Sequence, residues 1–186
     1  PSPVWWPRAM AARSQFWGSL RAVRMGKAGI LLMALMGPVR AGPPEWFRIV
    51  TSGGRVRMVL GAMIALFKHD LKALLAFSTV GHLGLITMLL GTGTAFGAMA
   101  AVFHILNHAT FKAALFMSAG IIDHEAHTRD IRRLGGLRKL MPVTFIIASL
   151  EALSMDGIPL PSGFLSQAML LEETLPTNLF CMPWHV

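Results

Sequence analysis

Charge is scarce in this chain of 186 residues: 14% are Asp, Glu, Lys or Arg, while 54% are hydrophobic and the mean hydropathy is +0.56. A soluble globular domain carries about 25% charged residues. This chain therefore has too few polar side chains to cover a surface in water, and lipid must replace water over much of it. Acids are scarcer still, 9 against 17 Lys and Arg. The resulting charge of +8 does not point to nucleic acid, because the basic residues lie in short segments between apolar runs. Cysteine is nearly absent; Cys181 stands alone, which excludes an intramolecular disulfide framework and a cysteine-based metal centre. A secretory signal pattern is missing as well. The chain opens at Pro1 without a Met, on Trp5, Trp6 and Pro7, and closes soon after Pro176 and Pro183. Both ends read as cuts within something longer.

What is present is a series of apolar stretches. Residues 27–41 are short for a membrane span, which needs about 20 apolar residues. Residues 46–67 are apolar mainly in their second half, because Arg48, Arg55 and Arg57 crowd the first. Residues 72–91 and 95–122 are clear spans. The last stretch, 143–175, is interrupted at Ile158-Pro159-Leu160-Pro161. Two prolines one residue apart remove backbone donors and clash with the preceding turn, so a continuous helix is not expected there. Two short helices joined by a loop is the plain reading. The functional one is a discontinuous transmembrane helix hinged at Gly157, Pro159, Pro161 and Gly163, which would bring free backbone groups to an ion path. The expected architecture is all-α, a polytopic transmembrane helical bundle.

If each stretch crosses once, 12 Lys and Arg fall on one side and 4 on the other, with Lys112 inside a span. The positive-inside rule then places the 123–141 connection in the cytoplasm, as expected of a multi-pass protein of the cell (inner) membrane. That connection reads as a solvated loop with a helix on the membrane surface.

The fourth stretch carries the chemistry. His104, His108 and Lys112 follow one another at i, i+4 spacing, so they share one helix face. They form a ladder about 12 Å long among Ala, Val, Ile, Leu, Phe and Met. Ionisable groups at such depth are costly, face away from lipid and by default mark an ion or proton route. Histidine can accept a proton at one ring nitrogen while donating from the other. A lysine removed from water exchanges a proton that it would otherwise hold. Lys112 is the expected switchable site, the histidines its relay, and Asn107 is placed to orient water or an imidazole. Two other readings stay open. His-x3-His is also a metal-ligand spacing, although no third acidic or cysteine ligand lies nearby in sequence. The other takes the histidines as core residues hydrogen-bonded across helices. Snorkelling suits Lys112 poorly, because it lies at least ten residues from Asp123.

The preceding span adds Lys72, Ser78, Thr79 and His82. Lys72 reads either as an interface anchor or as a relay member, and Lys27 at the head of the first stretch has the same two readings. His82 sits between Gly81 and Gly84, where another helix can approach closely. Glu151 and Asp156 are acids in the last stretch and candidate carboxylate partners for a buried cation.

The runs HDLKALLAFSTVGHLG (69–84) and AAVFHILNHATFKAALFMSAGIIDHEAHTRDIRRLGGL (100–137) closely resemble the antiporter-like proton-translocating subunits. These include the large membrane subunit of the Mrp-type multisubunit Na+/H+ antiporter and the membrane subunits of respiratory complex I. The GIIDHE…TRDIRRLGGL stretch looks most like the Mrp branch. The resemblance covers roughly residues 27–175, with 1–26 as a degenerate N-terminal segment and 176–186 as a tail. It implies part of a core of two inverted repeats with broken helices and a central line of charged and His residues. His104, His108 and Lys112 fall on the family's channel element, Lys72 on the lysine of its DLK segment and Lys27 on its VKAG lysine. No cofactor is implied and no metal. The implied partners are other membrane subunits, the lipid bilayer, and Na+ and H+ as transported ions, with no nucleic acid.

The departures are specific. Arg13 and Gln15 stand at proline positions of the family's pattern, Arg21 at a histidine, and Gln167 at the lysine of its GF-x-SK element. Asp156 stands where a small residue is usual. The expected function is monovalent cation/proton antiport through a buried His/Lys path, a transporter's task and not an enzyme's. The alternatives are a proton-translocating subunit of the complex I type, or a degenerate, non-conducting fragment with a structural role.

Overall fold

The computed structural model describes residues 27–37, 44–158 and 163–175; the proline positions Pro159 and Pro161, the segment 1–26 and the tail 176–186 lie outside them. The described residues form helices α1 (Lys27–Gly37), α2 (Pro44–Leu66), α3 (Leu71–Gly91) and α4 (Ala95–Ala126). A 3-10 turn (Ile131–Arg133) and a short α5 (Leu137–Leu140) lead to α6 (Pro142–Asp156) and α7 (Gly163–Thr174). Three of them, over Glu45–Leu66, Leu71–Gly91 and Ala95–Ala126, are long and apolar enough to cross a membrane. The stretch 143–175 is two helices of 15 and 12 residues, neither long enough to span alone. Helix α4 runs four residues past the expected 122, because nothing in Asp123-His124-Glu125-Ala126 opposes helix; it ends where His127 turns left-handed (φ 49°).

Side-chain caps fix the starts of the two central helices. Asp70 accepts from the backbone N–H groups of Lys72 (2.9 Å) and Ala73 (3.0 Å), and Thr94 accepts from Gly97 N–H (2.9 Å). The connections before α3 and after α4 are stitched together. Leu71 N–H donates to the Arg129 carbonyl (3.0 Å) and Ile131 N–H to that of His69 (2.9 Å), around an isolated antiparallel bridge between Asp70 and Asp130. The Asp130 carboxyl, which accepts from Arg132 N–H, is held below its ordinary 3.8 chiefly by that backbone bond, then by the Arg132 side chain. A carboxylate depressed in this way contributes stability above its unfolded pKa, and the contribution is lost as pH falls through the folded value. Exchange of the Arg132 amide, followed by NMR or mass spectrometry, is therefore expected to accelerate on acidification below roughly pH 4, beyond its intrinsic pH trend.

Helices α2 and α3 meet backbone to backbone. A Cβ on Gly84 would come within 2.5 Å of Met58 N and 2.8 Å of the Gly54 carbonyl; one on Gly61 would stand 2.6 Å from Gly81 N. These obstacles are main chain and cannot swing aside, so the glycines set the distance between the helices. Gly84→Leu is expected to destabilise the protein by about 1–3 kcal/mol or more, read as a lowered unfolding temperature in detergent. Unchanged stability would mean that the close contact is absent.

Helices α3 and α4 run antiparallel, and their shared interior is layered. Nearest the 123–141 connection, Leu75, Ala76, Val80, Phe116 and Ala119 form one apolar cluster. Toward the start of α4, Leu83, Ile86, Leu89, Leu90, Ala100 and Ala101 form another, completed by Ile30 of α1 and Leu170 of α7. Between the two lies a polar layer.

Candidate functional site

The polar layer is built where α3, α4, α6 and α7 converge. His104 and His108 come from α4, and His82 reaches them from α3. Its Nδ1 lies 3.3 Å from His104 Nε2, and the two rings stack with centroids 5.5 Å apart. The His82 ring also lies 5.2 Å from that of His108, and Phe111 packs edge-on against both. The other nitrogen of His104, Nδ1, stands 3.3 Å from Ser166 Oγ on α7, a hydroxyl that donates to the Gly163 carbonyl at 2.9 Å. Each of these imidazoles can pass a proton by accepting at one nitrogen and releasing from the other. His108 is only 1% exposed, and neither of its ring nitrogens meets a hydrogen-bond partner among the described residues.

Lys112, also 1% exposed, points its ammonium at the Ser78 hydroxyl and at the thioether of Met155, 3.4 Å away. Lys27 on α1 donates to the Ile105 carbonyl (3.4 Å), on the turn between His104 and His108. The structure thus gathers His82, His104, His108, Lys112 and Lys27 around one stretch of α4. Lys72 is set apart, beyond the apolar cluster of Leu75 and Phe116. It donates to Asp123 Oδ2 at 2.6 Å, while Arg129 Nε approaches Oδ1 at 3.4 Å. Among the described residues neither Glu151 nor Asp156 forms an ion pair; the carboxylate that meets a largely buried lysine is Asp123. Asp123 was legible in principle, since it follows Lys112 by eleven residues, three turns along the same face. Ser166 and Met155 carry no such signal, because only the approach of α7 and α6 brings them in. A further buried acid, Glu173 of α7, accepts from the hydroxyl of Thr94 at the start of α4.

The helix break meets this layer. Helix α6 stops at Asp156, followed by Gly157 with φ 76°, a left-handed conformation that glycine adopts without strain. A Cβ on Gly163 would collide with the Ser154 carbonyl, so only glycine lets α7 begin there. Carbonyls at a helix end need donors from elsewhere. Gln167 Nε2 supplies one, donating to the Met155 carbonyl at 2.8 Å. Gln167 therefore ties the two half-helices together, and its amide cannot itself carry a proton. Among the described residues no group of three His, Cys, Asp or Glu side chains is arranged to hold a metal ion.

Three helices long and apolar enough to cross a membrane, with a row of imidazoles and an amine set between them beside a broken helix, define a multi-pass membrane protein. The chain belongs to the family described as NADH:quinone oxidoreductase/Mrp antiporter, transmembrane, whose profile matches residues 1–184. It is 52% identical over 179 residues to a probable K(+)/H(+) antiporter subunit of Rhizobium meliloti, covering 96% of this chain and 18% of that protein. It is 48% identical over 189 residues to a Na(+)/H(+) antiporter subunit of Alkalihalophilus pseudofirmus, covering 94% of this chain and 24% of that one. Among solved structures it is similar to the Mrp complex from Dietzia sp. DQ12-45-1b, with a TM-score of 0.86 and 38% identity over 92% of this chain and 19% of that chain. It is also similar to an archaeal respiratory membrane complex, the membrane-bound sulfane sulfur reductase. There the TM-score is 0.85 and the identity 27%, over 92% of this chain and 36% of that one. The chain spans about a fifth to a quarter of the length of these curated relatives.

Proposed function

We propose that this chain is a proton-handling segment of a monovalent cation/proton antiporter, working in the cell membrane among other membrane subunits. The observation that carries the reading is the continuous contact from buried Ser166 through buried His104 to half-buried His82, with buried His108 and Lys112 alongside. Such a row of exchangeable nitrogens has no use in a purely apolar core and costs stability to bury. The relatives are named for Na(+)/H(+) and K(+)/H(+) exchange, so the cation is read as monovalent, either Na+ or K+. The 27–175 region acts as one unit of the translocating core, and the basic 123–141 connection faces the cytoplasm.

Gln167 supports a second reading. Where the family's lysine would carry charge, this side chain makes a structural bond, so protons either leave the layer by another route or do not pass. Likeness to a respiratory membrane complex supports a third, in which the same layer is driven by electron transfer elsewhere.

Everted vesicles containing the antiporter that carries this segment separate the three. Addition of Na+ or K+ should collapse a preformed pH gradient without NADH oxidation. No response to either cation sinks the antiport reading; proton movement only during NADH oxidation supports the respiratory one.

A further inference from the structure

We propose that Asp123 is the group through which the buried path exchanges protons with water on the side of the 123–141 connection, and that Arg129 positions it. This rests on the proton-path reading above. Asp123 closes the polar face of α4, three turns beyond Lys112. Its Oδ2 accepts from Lys72 Nζ at 2.6 Å and its Oδ1 meets Arg129 Nε at 3.4 Å. Side-chain exposure rises outward along this set, 10% for Lys72, 27% for Asp123 and 36% for Arg129. The carboxylate is thus the step between a shielded amine and water.

The two cations differ in kind. A lysine ammonium can give up its proton, whereas a guanidinium stays charged throughout the accessible pH range. Arg129 therefore holds one carboxylate oxygen without competing for the proton on the other. Its place is fixed by the main chain: the Arg129 carbonyl takes the N–H of Leu71, the neighbour of Lys72, and Ile131 N–H is bonded to His69. The adjacent His124 and Glu125 bond each other in solvent (3.0 Å) and make no ion pair with Asp123.

Outward transfer breaks an Nζ–H bond of the Lys72 ammonium and forms an O–H bond on Oδ2, leaving a neutral amine and a neutral acid. The acid then loses that proton to water, and a proton crossing the Leu75 and Phe116 layer recharges the amine. Inward transfer is the reverse.

The test uses the assembled antiporter carrying this segment, with cation-driven pH change measured across a range of pH in Asp123→Asn, Asp123→Glu, Arg129→Leu and Lys112→Ala variants. Asp123→Asn should lower exchange at least about tenfold at normal membrane abundance. Asp123→Glu and Arg129→Leu should retain exchange with shifted pH profiles. Wild-type exchange and profile in Asp123→Asn, with Lys112→Ala inactive, overturns the proposal alone; activity in Lys112→Ala overturns the path reading instead. If Asp123→Asn fails to assemble, the Asp123→Glu profile decides, and an unshifted one overturns the proposal. Equal loss in all three loop-side variants with no profile change assigns Asp123 a structural role and also overturns it.

Discussion

Lys112→Ala in the assembled antiporter should reduce cation-driven proton exchange by at least about 100-fold, the scale on which a positioned proton-transfer group contributes. The described partners of Lys112 include no acid, only the Ser78 hydroxyl and the Met155 thioether. Truncation therefore leaves no carboxylate stranded, and Ser78 keeps its bond to the Leu75 carbonyl (3.1 Å). The loss should be one of transport and not of fold. Lys112→Arg sharpens the point, since a guanidinium keeps the charge but does not release its proton. Both variants should be inactive. An arginine variant running at the wild-type rate would mean that fixed charge, and not proton exchange, is what position 112 supplies.

His104→Phe should have a comparable effect, again about 100-fold, because His104 joins three helices through its two ring nitrogens. Its Nε2 faces His82 on α3 and its Nδ1 faces Ser166 on α7. Phenylalanine keeps the ring volume against His82 and His108 and removes both nitrogens. His108→Phe is the informative comparison, since His108 has ring contacts with His82 and Phe111 but no hydrogen-bond partner among the described residues. If proton passage follows the hydrogen bonds, His104→Phe is the more damaging. Equal and mild effects from both variants, at normal abundance in the membrane, would remove the histidines from the path.

The histidine–lysine ladder was legible because i, i+4 spacing is a property of one helix, and α4 forms wherever its apolar run is left uninterrupted. The break in the last stretch was legible for a similar local reason, as Pro159 and Pro161 stand one residue apart in the sequence with Gly157 and Gly163 flanking them. The contacts between helices were not. His82 could be marked as a histidine near glycines, but its approach to His104 depends on how closely α3 lies against α4. The partner of Lys72 lies 51 residues away on α4, whereas the sequence drew attention to Glu151 and Asp156 because they sit in an apolar run. Apolar surroundings locate a costly acid without telling which helix face it occupies. The role of Gln167 was half visible: its lack of a titratable group could be read, its bond to the Met155 carbonyl could not.

Along α4 the interior alternates: the Thr94–Glu173 bond, an apolar band around Ala100 and Ala101, the histidines and Lys112, a second apolar band at Phe116 and Ala119, then Asp123. The second band separates Ser78 from Lys72 by about 9 Å of helix rise. A unit charge pays heavily to enter such a low-dielectric slab without water. The bands therefore insulate the central polar side chains on both sides. In the proposed path, a proton on the central nitrogens would be held between two apolar bands, with entry and exit both requiring water to bridge one of them.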